Sequence, residues 1–168
     1  MAEADPVELS PEQCAALVRR TALATLARRE YGFNELLQKL ATRFPEFDAE
    51  QLIIPVLEQL RAENLQSDTR FLEAFVRYRS LRGCGPLKIS AELHPRRLAS
   101  EAVTEALYHT GPDWDALCLQ ALQKKLGSAA RQPLSAPARL KLQRFLLQRG
   151  FSHEQVATAL KRAREATV

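Results

Sequence analysis

The sequence predicts an all-α protein made of three tandem three-helix repeats of about 50 residues each, with nine helices and no sheet. Three observations lead there. Apolar residues recur at helical spacing, as at Phe71, Ala74, Phe75 and Tyr78, which fall at i, i+3, i+4 and i+7. Helix starts are marked by Ser or Asp followed three residues later by Gln, in Ser10-Pro11-Glu12-Gln13, Asp48-Ala49-Glu50-Gln51 and Ser152-His153-Glu154-Gln155. Three similar segments carry Leu57, Leu107 and Leu160 at separations of 50 and 53 residues, each preceded by two further helical patterns. A unit this small buries too little apolar surface to stand alone, so neighbouring units are expected to stack.

In chain order, residues 1–9 read as a flexible tail. The first repeat, 10–64, opens at Ser10 with Pro11 in the first helical position, and its first helix is expected to reach Arg29, before Tyr31-Gly32. Phe33–Arg43 supplies the second helix, with Phe33, Leu36, Leu37 and Leu40 on one side. The third starts at the Asp48 cap and runs through Leu60. Pro55 inside it predicts a local bend or break, because proline lacks a donor and its ring crowds the preceding turn.

The second repeat, 65–110, begins with the stripe around Phe71, and Glu73 stands four residues before Arg77 in the favourable order for a helix pair. Gly83-Cys84-Gly85-Pro86 stops that helix and starts the next, Leu87 to Leu93. The third repeat, 111–168, follows a Thr110-Gly111-Pro112-Asp113 turn with Asp113 as cap, and Trp114 and Leu117 are expected to pack inward. Residues 127–135 read as a mobile loop. The next helix sets Lys141, Arg144 and Gln148 opposite Ala138, Leu142, Phe145 and Leu146. Ser152 caps the last helix, which ends in Lys161, Arg162 and Arg164.

With 46% apolar and 26% charged residues the chain has the composition of an ordinary soluble globular protein. No run is apolar enough to span a membrane and the N-terminus has no signal-peptide pattern, so a cytoplasmic location and no membrane partner are expected. Cys14, Cys84 and Cys118 are isolated and odd in number, which points to thiols without a disulfide framework or zinc site. The net charge of +4 is unevenly spread: residues 1–64 hold seven Lys/Arg against eleven Asp/Glu, whereas residues 113–168 hold ten against four. An anionic partner for the C-terminal two thirds follows.

Enzyme chemistry is not indicated. There is no GxxxxGK phosphate loop, no HExxH and no nucleophile elbow. Gly83-Cys84-Gly85 follows a helix and not a strand, so it fails the test of a dinucleotide loop. His94, His109 and His153 lie near predicted helix ends with no carboxylate or cysteine spaced for joint action. No cofactor or metal is expected. What remains is cationic: each repeat's first helix ends in a basic pair, at Arg28-Arg29, Arg77-Tyr78-Arg79 and Lys124-Lys125, which equivalent stacking would arrange as a ladder. Sequence reading of DNA by the last helices is disfavoured, because Asp48–Glu63 carries four acidic residues against one arginine and Ser100–Thr110 carries no Lys or Arg.

The run RFLEAFVRYRSLRGCGPLKISAEL, together with LKLQRFLLQRGFSHEQVATAL near the end, closely resembles the signatures of the RecX family of RecA regulators. The resemblance covers nearly all of the chain after about residue 13. It implies an elongated, curved helical array that binds RecA and lodges in the groove of the RecA-DNA filament. Blocked filament extension and depressed ATP hydrolysis, strand exchange and co-protease activity would follow. The contact candidates it carries over are Arg70, Arg77, Arg79, Arg144 and Arg149, and the basic surface read from the residues adds Arg28, Arg29, Arg82, Lys88, Lys124, Lys125 and Lys141. Phe71, Phe75, Val76, Gly83, Gly85, Pro86, Ile89, Phe145, Gly150 and Phe151 match the family pattern as structural positions. Arg43-Phe44-Pro45, Pro55 and His94-Pro95-Arg96-Arg97 depart from it. A monomer acting on RecA is expected; the alternatives are a helical protein that binds nucleic acid through the same cations without sequence readout, touching DNA directly, and a helical adaptor for an acidic protein.

Overall fold

The computed structural model describes residues 9–127 and 134–165, so the expected tail before Leu9 and most of the expected loop at 127–135 lie outside the described residues. Among the described residues there are nine α-helices and no strand. The chain divides into two compact units, Met1–Phe71 and Leu72–Val168, and the division falls in the first turn of α4.

The first unit contains α1 (Pro11–Leu26), α2 (Phe33–Arg43) and α3 (Ile54–Ala62). The capping box at Ser10 is formed in both directions: Gln13 N–H donates to Ser10 Oγ at 3.2 Å and Ser10 N–H to Gln13 Oε1 at 2.8 Å. α1 stops at Leu26, short of the expected Arg29, because the Arg28 amide turns to the carbonyl of Thr25 at 3.2 Å, a tighter bond that ends the α-register. A π-helical turn, Ala49–Ile53, leads into α3, with Asp48 capping it through Gln51 N–H at 2.9 Å. Pro55 therefore neither breaks nor ends the helix. The Ile54 amide reaches back five residues to Ala49, widening the turn just ahead of the ring, and Pro55 falls in the first turn of α3, where a missing N–H is harmless.

Val18 and Ala22 of α1, Leu36 and Leu40 of α2, and Leu57 and Leu60 of α3 are buried in one apolar core with Phe33, Phe44, Ile53 and Val56. A polar seam closes one end. Asp68 Oδ1 accepts the Phe33 amide at 2.8 Å, capping α2 where Gly32 has no side chain to do so. Buried Gln66 donates to the same carboxylate at 2.9 Å and to the Tyr31 carbonyl at 3.0 Å.

The second unit holds most of α4 (Asp68–Leu81), then α5 (Pro86–Leu93), α6 (Ser100–Thr104) running into a π-helical turn (Glu105–His109), α7 (Trp114–Leu126), α8 (Ala136–Gln148) and α9 (His153–Glu165). The buried row of α4 is Leu72, Val76 and Ser80 with Phe71, not the expected row ending at Tyr78, which is 52% exposed. Two adjacent rows of this helix are apolar enough to compete. The phenol tolerates water, while Ser80 satisfies its hydroxyl by donating to the Arg77 carbonyl at 3.0 Å. Trp114 is buried and donates its indole N–H to the Leu107 carbonyl at 2.7 Å, tying α7 to the preceding turn. α9 packs along α7, burying Cys118, Leu122, Val156 and Ala159.

Candidate functional site

The site is assembled around two glycine turns of the second unit. α4 ends at Gly83 (φ +76), where Cys84 N–H donates to the Arg79 carbonyl at 3.1 Å and Gly83 N–H to Ser80 at 2.9 Å. α8 ends in the same way at Gly150 (φ +88), with Phe151 N–H on Leu146 at 3.3 Å and Gly150 N–H on Leu147 at 2.9 Å. These turns meet backbone to backbone. Gly85 N–H donates to the Arg149 carbonyl at 2.7 Å and Leu87 N–H to the Gly150 carbonyl at 3.0 Å, so the open amides at the start of α5 are satisfied by the end of α8. A Cβ at Gly150 would lie 2.3 Å from that of Lys88, which is why no side chain fits there.

Arg149 reinforces the joint with its side chain: Nη1 donates to the Arg82 carbonyl at 2.9 Å, and the guanidinium lies 5.1 Å from the Phe145 ring centroid. Beside it opens a cleft of about 300 Å³ walled by Arg82, Lys124, Lys125, Phe145 and Arg149, with Leu81 at its edge 72% exposed. None of the lining residues is a carboxylate. Lys125 is held 5.2 Å from the Phe145 ring and Arg82 4.6 Å from that of Tyr78, contacts that orient both cations without neutralising them. Such an arrangement concentrates positive potential in a concave surface.

Four of the twelve sequence-selected cations, Arg82, Lys124, Lys125 and Arg149, are thus brought together. Three others are engaged with protein groups. Arg79 is paired with Glu92, its Nε at 2.7 Å from Oε2, and the hydrogen bond to Glu92 outweighs burial to hold its pKa above the usual arginine value. Arg29 pairs with Glu35 at 2.9 Å and lies 3.5 Å from the Tyr31 ring centroid; burial opposes its charge, but these partners raise its pKa on balance. Arg70 clamps two turns, donating to Glu30 and to Asn64 at 2.8 Å each and to the Leu65 carbonyl at 3.3 Å. Arg77, Lys88, Lys141 and Arg144 are exposed and do not line the cleft.

Arg28 lies elsewhere, in a cleft of the first unit together with Arg20, Lys39 and Arg43, which sequence reasoning did not single out. The available signal was the spacing of Lys39 and Arg43, one helical turn apart on the polar side of α2. His94, His109 and His153 are all exposed, and among the described residues no group of three or more His, Cys, Asp or Glu is placed to hold a metal ion. Nor is any described helix long and apolar enough to cross a membrane.

Both glycine turns and the cleft fall within stretches that match known family models. Residues 67–107 match the second three-helix domain of RecX and residues 113–160 match the third. A regulatory protein RecX from Chromohalobacter salexigens is 44% identical over 90% of this chain and 96% of its own length. Another, from Pseudomonas entomophila, is 41% identical over 85% of this chain and 89% of its own. Taken with the all-helical fold, these likenesses place the chain in the RecX family of regulatory proteins.

Proposed function

We propose that this chain regulates RecA by binding the protein and the groove of its DNA filament, restraining filament extension and with it ATP hydrolysis, strand exchange and co-protease activity. The observation that supports this reading is the carboxylate-free cationic cleft, which gathers Arg82, Lys124, Lys125 and Arg149 beside the glycine joint. Its mixed character suits a filament surface: exposed Leu81 and Tyr78 offer apolar and aromatic anchors next to the cations, the combination that dominates protein contacts. DNA-dependent ATP hydrolysis by the cognate RecA, with this protein titrated well below one copy per RecA, tests it. Inhibition that excess DNA does not relieve is the expected result. Relief by excess DNA would favour the second reading, sequence-nonspecific phosphate binding by the same four cations, which would also show steep salt dependence.

A further inference from the structure

We propose that the first unit carries a second, independent recognition site: a groove between α1 and α2 that takes an acidic amphipathic peptide segment of a partner protein. One wall is set by α1, where Leu17, Arg20, Thr21, Ala24 and Thr25 line the groove over about 12 Å of helix, and Arg28 extends it from the turn that follows. The other wall is Lys39, Leu40 and Arg43 of α2. The enclosed volume, about 560 Å³, is the larger of the two cationic clefts. Arg20, Arg28, Lys39 and Arg43 are all exposed at its rim, and no carboxylate lines it.

Three features select a peptide over a nucleic acid. The floor is apolar, formed by Leu17, Ala24 and Leu40, and calls for apolar side chains from the occupant. The two threonine hydroxyls, which could have met a phosphate, are already committed, Thr21 Oγ1 donating to the Leu17 carbonyl at 2.9 Å and Thr25 Oγ1 to that of Thr21 at 2.8 Å. The one aromatic ring, Tyr31, has a face covered by Arg29 at 3.5 Å, which removes that face as a platform for base stacking. The occupant is therefore a helix-length segment with leucine-like residues on one face and carboxylates flanking it, each carboxylate able to take a forked bond from arginine.

The test uses the full chain and a fluorescein-labelled helical peptide of about 15 residues, with leucines on one face and glutamates beside them. An equally charged version with serines in place of leucines and a single-stranded oligonucleotide serve as competitors. The expected result is saturable binding of the leucine peptide, weakened about tenfold or more by Arg20→Glu with Arg43→Glu and unchanged by Lys124→Glu with Lys125→Glu. Methyl shift changes at Leu17, Ala24 and Leu40 in the unmodified chain report the same site without relying on a variant that folds. Equal binding of the serine peptide, displacement by the oligonucleotide, or shift changes confined to the second unit would overturn the proposal. Because the readout contains no RecA, its failure is distinct from failure of the regulatory reading.

Discussion

Gly85 donates its amide to the carbonyl of Arg149 at 2.7 Å, and a Cβ at position 85 would stand 2.4 Å from the carbonyl carbon and oxygen of Gly150. The φ of Gly85 is −85°, which any residue adopts, so this glycine is required by closeness and not by backbone conformation. Contact at this range is between two main chains, and neither can swing aside as a side-chain end would. The Gly85→Ala variant should lose about 2 kcal/mol or more of stability, read as a lowered urea midpoint, and should inhibit RecA poorly because the turn that carries Arg82 is displaced. A loss below about 0.5 kcal/mol would mean that the joint yields.

The ion-paired and cleft-lining cations should separate in behaviour. Lys124→Glu with Lys125→Glu should raise the concentration needed for half-inhibition of RecA about tenfold or more, with helicity and unfolding midpoint nearly unchanged. Arg79→Gln should act mainly on stability, by about 1 kcal/mol, and that loss should be largely absent when Glu92 is already glutamine. Equal inhibition defects from both changes, without any stability difference, would remove the distinction.

Burial, aided by the Asp115 carboxylate, pushes the Cys118 thiol up to about 11 from its ordinary 9.0. The folded chain holds this proton more tightly than the unfolded one, so stability is intact below pH 9.0 and falls as pH rises towards about 11. Unfolding free energies from urea titrations across that window should fall faster for the unmodified protein than for Cys118→Ala, by about 1 kcal/mol per pH unit. Parallel slopes would contradict the assignment. At neutral pH a thiol-disulfide reagent should modify half-buried Cys14 in the native state and leave Cys84 and Cys118 until unfolding.

Trp114 is the one tryptophan of the chain and a built-in reporter of the second unit. Its buried indole should emit at short wavelength and shift red on unfolding. Trp114→Phe would strand the Leu107 carbonyl and should cost about 1–3 kcal/mol, seen as a lowered melting temperature by circular dichroism. An unchanged melting temperature would place that hydrogen bond among the dispensable ones.

Much of this architecture was legible in the residue order because its signals are local. The boxes at Ser10 and Ser152, the caps at Asp48 and Asp113, and the glycine ends of α4 and α8 depend on residues within a few positions of one another, and all are formed. The register change before Pro55 was not legible, since proline signals a fault in the α-pattern but not whether a wider turn absorbs it. Nor was the inner row of α4, because periodicity identifies an apolar face without saying which of two neighbouring rows faces the core.

The basic residues divide along the same line. Their identity and their recurrence at helix ends were written in the chain, and so was the family signature that contains most of them. Which of them remain available was decided by tertiary structure alone. Glu92, thirteen residues from Arg79, and Glu30, forty residues from Arg70, become partners only through folding, whereas Arg82, Lys124, Lys125 and Arg149 converge on a surface with no carboxylate. Charge is a property of the residue, but its neutralisation depends on what long-range packing brings within about 4 Å.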